Sequence, residues 1–198
     1  MRLMNALRKP AGFIGSNWAG LLALLTVVGS VPALAGVLRV TDDLEDRSDD
    51  AFTSVWRHVR RTWRRDLPVS LGLLAYVGVL VINAVLLVEA YSGPSRVFFV
   101  GLLVPVAWLV GALLAAWVRV AAWQPDATRS EVLHGTVALV ATHPGRSLLT
   151  VPLFIACAPF WLLPPVTIAC GMSLPSWVFS KLWAPVGDGV PVAEATAH

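Results

Sequence analysis

Charge is what this chain has least of. Only 14% of its 198 residues are charged, against about 25% in an ordinary soluble domain. Four long stretches carry no charge at all: Pro10 to Leu38, Leu67 to Val88, Val97 to Val118 and Ser147 to Ser180. Lysine is confined to Lys9 and Lys181, and neither follows a glycine-rich loop, which excludes a Walker A phosphate cradle. The chain also lacks Cys-x-x-Cys, His-Glu-x-x-His and Gly-x-Ser-x-Gly, and with them the thiol redox, zincin and serine-hydrolase chemistries those motifs carry. Cys157 and Cys170 both fall within the last apolar stretch and read as small packing residues, not as a disulfide framework. His58, His134 and His143 are far apart in the sequence and His198 is terminal, so they read as surface or capping groups; no metal and no other cofactor is expected. A formal charge of +3 with no aromatic platform gives no basis for nucleic-acid binding.

What is present is hydrocarbon. A helix needs roughly 20 apolar residues to cross a bilayer, and the uncharged runs supply them several times over. The expected fold is all-α: a polytopic transmembrane helix bundle forming one integral membrane domain over residues 1–198. About five spans are expected near residues 15–38, 67–88, 97–120, 147–163 and 166–183, with two in-plane amphipathic helices on the cytoplasmic side. Ala33-Leu34-Ala35 has the look of a signal-peptide cleavage site, but the apolar run is longer than a signal core, and cleavage would export seven arginines between Arg39 and Arg65. The first run is therefore read as a span, broken or bent near Gly29 to Pro32. With the Arg39–Arg65 loop cytoplasmic, Ser92-Gly93-Pro94 lies outside, and Arg119, Arg129, Arg146 and Lys181 return inside. That leaves Arg2, Arg8 and Lys9 either translocated or, if the first segment is re-entrant, inside.

Within the arginine-rich loop, Phe52, Val55, Trp56, Val59 and Trp63 recur at helical spacing on one face, with Arg57, Arg60, Arg61, Arg64 and Arg65 on the flank and back. Two readings stand. The helix lies in the headgroup region with its arginines on lipid phosphates, or its apolar face packs on the ends of the spans. The second in-plane helix opens at Thr128-Arg129-Ser130-Glu131, a capping box, with Leu133, Val137, Val140 and Ala141 on one face until His143-Pro144-Gly145 ends it. The tail after Pro185 reads as frayed.

Asn83 is the polar residue deep in a span. It reads first as an interhelical hydrogen bond, and alternatively as part of a polar path. Pro105, Pro152, Pro159, Pro164, Pro165 and Pro175 bend or break the helices, Pro164-Pro165 splitting the last run into a hairpin. Trp117, Trp123 and Trp183 suit an interfacial belt.

Several of these stretches together resemble the YesL family of bacterial membrane proteins: Asn17-Trp18, Val31-Pro32-Ala33-Leu34-Ala35-Gly36-Val37-Leu38-Arg39, Ala51-Phe52-Thr53-Ser54-Val55-Trp56-Arg57, Arg64-Arg65-Asp66-Leu67 and His143-Pro144-Gly145-Arg146-Ser147-Leu148-Leu149. The resemblance covers roughly residues 15 to 183, with Gly29-Ser30-Val31-Pro32 standing where that family has Thr-Ile-Gly-Pro. It implies a small multi-pass protein of the bacterial inner membrane, with an accessory role in carbohydrate uptake beside a sugar permease complex, and it supplies no catalytic residues. A solute carrier or channel built on the proline-broken C-terminal hairpin and Asn83 is the competing expectation. An intramembrane enzyme would need paired ionisable groups in the spans, which the sequence lacks.

Overall fold

Each apolar run that the sequence marks as helical is helical in the computed structural model, which describes residues 2–26 and 29–183 and, among these, contains no strand. The tail expected to fray lies outside the described residues.

The first run is not one span. It forms α1 (Arg2–Leu24) and α2 (Ser30–Asp42), and the two fold back on each other: a Cβ at Gly20 would stand 2.6 Å from Val37 Cγ2, and one at Gly12 2.7 Å from Ser48 Cα. Only glycine permits these approaches. Arg8 pairs with Asp49 and Lys9 with Glu45 in the short helix α3 (Leu44–Arg47). Arg8 and Lys9 therefore sit at the same end as the arginine-rich loop. The single span expected at 15–38 is replaced by two helices packed against each other. At 13 residues, α2 is only about 20 Å long. It is the most enclosed helix, with Val31, Ala33, Ala35, Val37, Leu38 and Val40 all buried.

The expected in-plane helix and the second span are one element, α4 (Ala51–Glu89), with Pro68 inside it. It cannot be straight. Val55 Cα would lie 3.4 Å from a Cβ on Gly36, and Ser70 Oγ accepts from Val31 N at 3.3 Å; Val31 and Gly36 are about 7.5 Å apart along α2, whereas Val55 and Ser70 would be about 22 Å apart on a straight helix. The helix bends around α2. Pro68 has no N–H for the carbonyl of Arg64 and crowds it. That carbonyl is taken by the Arg129 guanidinium at 3.4 Å, and the Arg65 carbonyl at 3.2 Å. The buried face up to and just past the bend is Ala51, Val55, His58, Val59, Thr62, Asp66 and Ser70. Of the five-residue apolar face expected there, Val55 and Val59 turn inward while Phe52, Trp56 and Trp63 remain exposed.

Beyond the bend, α4 runs beside α5 (Gly93–Trp123), joined across by Tyr76 Oη donating to the Ala107 carbonyl at 2.5 Å. The capping box forms at α6 (Arg129–Thr142): Thr128 Oγ1 accepts from Glu131 N, and Glu131 Oε2 accepts from Thr128 N. The buried face of α6 is Val132, Thr136 and Leu139, one position away from the expected one, and Leu133 and Val137 are exposed. Apolar residues on both sides of this helix made its inner face illegible from spacing. The last run breaks at Pro164 as expected, but into three pieces: α7 (Pro144–Trp161), α8 (Pro164–Cys170) and α9 (Ser173–Trp183). Asn17, fully buried on α1, fastens the α8–α9 turn, donating to the carbonyls of Thr167 (3.2 Å) and Ile168 (2.8 Å) and accepting from Met172 N (2.7 Å).

Among the described residues, two helices, α4 and α5, are long and apolar enough to cross a membrane, not five. Of the others, α1 (23 residues) and α7 (18 residues) are long enough but not apolar enough, and α2, α8 and α9 are shorter.

Candidate functional site

At the arginine-rich end, polar groups crowd around a cavity. The C-terminal turn of α2, α3 and the first turns of α4 enclose about 130 Å³, with Arg39, Arg47, Arg57, Arg61, Ser54 and His58 on its walls. The sequence produces this locally because α4 carries a residue on one face every three or four positions. Ser54, Arg57, His58 and Arg61 therefore share a stripe, and the close approach of α4 to Gly36 brings that stripe against Arg39.

His58 is 6% exposed, and neither ring nitrogen has a hydrogen-bond partner among the described residues. It lies more than two turns before the apolar Leu67–Val88 stretch. Burial, and then the positive fields of Arg39, Arg65 and Arg61, push its pKa down to about 3, so the ring is neutral at physiological pH. This overturns the expectation of a surface or capping role for His58; nothing in the residue's own neighbourhood of arginines signals burial. His134 is exposed and His143 caps the α6–α7 junction, and no group of metal-ligating side chains forms among the described residues.

Nearby carboxylates engage arginines of the wall. Asp43 pairs with Arg47 at 3.2 Å, Asp50 lies 4.0 Å from Arg57 and accepts from Ser54, and Asp126 pairs with Arg61. Among the described residues Arg39 has no such pair. Burial, then the charges of Arg47 and Arg61, lower its pKa against the smaller opposing pull of Asp126 and Asp43.

The five arginines expected on lipid headgroups divide. Arg57 and Arg61 line the pocket, Arg60 lies outward beside Phe52 and Trp56, and Arg64 packs over the Trp63 ring at 5.2 Å. Arg65 turns inward. Its side chain is 9% exposed and doubly bonded to fully buried Asp66 (2.9 and 3.0 Å), and it also donates to the Gln124 carbonyl at 2.7 Å. Trp117 Nε1 donates to the same carboxylate at 3.3 Å. This cluster ties the bend of α4 to the end of α5, and the sequence showed it only as two adjacent opposite charges.

Asn83 is brought to no partner helix. Its Nδ2 donates to the Val79 carbonyl of its own helix at 2.8 Å, so the interhelical bond expected of it is absent. Asn83 lines a cavity with Tyr91 and the apolar Leu86, Leu87, Phe99, Leu102, Leu103 and Val106. Compared with family models, curated proteins and solved structures, the chain matches none.

Proposed function

We propose that this chain is a non-enzymatic, multi-pass protein of the bacterial inner membrane that holds an arginine-rich head at the cytoplasmic leaflet and serves as an accessory component of carbohydrate uptake. The observation that carries the membrane part is inverted burial. In the most apolar 18-residue window of α4 no residue is buried, and in that of α5 only 6% are, whereas a core helix of a water-soluble protein would hide such a window. Exposed Val81, Ile82, Val85, Phe98, Leu102 and Val104 suit contact with acyl chains. In the finer reading, α1–α2 and α7–α9 are re-entrant hairpins packed beside the spanning pair, and Arg57, Arg60, Arg61 and Arg64 sit at headgroup level, each contributing on the order of 1 kcal/mol toward an anionic leaflet.

The uptake role rests on the resemblance to the YesL family, and its partner would be a sugar permease complex. The competing carrier reading needs a polar path between the spans. Asn83 donates its amide to its own helix, and apart from Asn83 and Tyr91 the neighbouring cavity is lined by apolar side chains, which is too few polar groups for such a path.

Single cysteines at the exposed positions Thr53 and Ser92, in a chain with Cys157 and Cys170 replaced by alanine, test the topology in intact cells. An impermeant thiol reagent is expected to label Ser92→Cys and spare Thr53→Cys. Labelling of Thr53→Cys alone would invert the orientation, and equal labelling of both would end the membrane-spanning reading. A deletion strain grown on a panel of oligosaccharides tests the role, and undiminished growth on all of them would remove carbohydrate uptake.

A further inference from the structure

We propose that the pocket between α2, α3 and α4 is a discrete binding site for one phosphate group, bound by Arg39, Arg57 and Arg61 with His58 at its inner wall. Three observations converge. The cavity of about 130 Å³ is roughly four waters in volume, enough for a phosphate group with its remaining body outside. Four guanidinium groups line it and no carboxylate does, while Asp43, Asp50 and Asp126 nearby are each engaged with an arginine. Among the described residues Arg39 has no ion pair within 4.0 Å, Asp126 and Asp43 reaching it only through their fields, and His58, 94% buried, leaves both ring nitrogens unpartnered. Buried polar groups without partners are destabilising, and an oxygen-rich anion in this cavity would satisfy Arg39 and the Nε2–H or Nδ1–H of His58 together. Planar guanidinium forks suit phosphate oxygens, and a group offering several acceptors uses more of these donors than a carboxylate can. Two sources carry the same chemistry, a lipid phosphomonoester and a soluble phosphate. The pocket lies next to exposed Phe52, Trp56 and Arg60, so both have access to it.

The test uses the full chain in nanodiscs. One arm titrates inorganic phosphate into discs of neutral lipid, following histidine ring signals by NMR at fixed pH and the thermal midpoint. The other compares discs containing phosphatidic acid with discs carrying the same charge as phosphatidylglycerol, a phosphodiester. The expected result is saturable one-site binding in at least one arm, with a shift of the His58 signal, a loss of tenfold or more in Arg39→Gln, and a change under about twofold in Arg146→Gln, which removes the same charge outside the pocket. A response to phosphatidic acid alone identifies the lipid source; a response to inorganic phosphate in neutral discs identifies the soluble one. Equal losses in Arg39→Gln and Arg146→Gln, or an unmoved His58 signal at saturation, would overturn the site in favour of diffuse surface attraction. If Arg39→Gln fails to fold, Arg57→Gln, whose side chain is 74% exposed, replaces it with the same expected loss.

Discussion

The two halves of α4 follow opposite rules. From Ala51 to Ser70 the helix buries His58, Thr62, Asp66 and Ser70 and leaves Phe52, Trp56 and Trp63 exposed; from Leu71 to Glu89 it is almost wholly apolar and buries nothing. In water the second half would be the unstable one, since about 25 cal/mol is lost for each Å² of apolar surface left exposed. The difference teaches that the halves meet different surroundings. The first is held by specific polar partners in protein, whereas the second offers its surroundings only hydrocarbon, as a helix facing acyl chains would.

Removing a partner from the first half should cost most. Asp66→Ala leaves Arg65 buried and unpaired, and we expect a loss of about 3–5 kcal/mol, read as unfolding at lower denaturant in detergent, with Asp66→Asn intermediate. A loss under about 1 kcal/mol would mean that the cluster is as wet as a surface pair.

Acidification should expose the same asymmetry. His58 is held neutral to about pH 3 in the fold, against 6.5 when unfolded. Between these values the unfolded chain binds more protons, so stability falls as pH falls, and the loss levels off below about 3. In His58→Gln this part of the acid slope should vanish; an unchanged slope would mean that the ring titrates normally.

Two substitutions beyond the bend should do little. Tyr76→Phe removes the hydrogen bond to Ala107 and is expected to cost about 0.6 kcal/mol, measured by steric trapping in bilayers. Asn83→Leu should change stability by less than about 0.5 kcal/mol, because its amide serves only its own helix. Should Asn83→Leu prove as damaging as Asp66→Ala, the contrast between the halves would collapse.

Much of the frame is written locally and was legible. The capping box at Thr128, the break at Pro164 and the helicity of every apolar run depend on neighbours within four residues. The arginine pattern in α4 was legible too, but not its division, because whether an arginine faces Asp66, a cavity or the outside depends on what α2 and α5 bring against it. Arg65 and Arg64 are adjacent in the chain, and one is a structural clip while the other is exposed on Trp63.

The sequence by itself determined that this protein is helical and rich in long apolar runs, because hydropathy and capping are sums over adjacent residues; that two helices and not five are long and apolar enough to cross a membrane emerged only from where the chain breaks among the described residues. Only the tertiary structure decided that the first run is a hairpin with Arg8 and Lys9 beside Asp49 and Glu45, that α4 bends at Pro68 around α2, and that His58 is buried among arginines. Those features join residues tens of positions apart. Their energies come from desolvation and partner geometry, which exist only once the helices are packed.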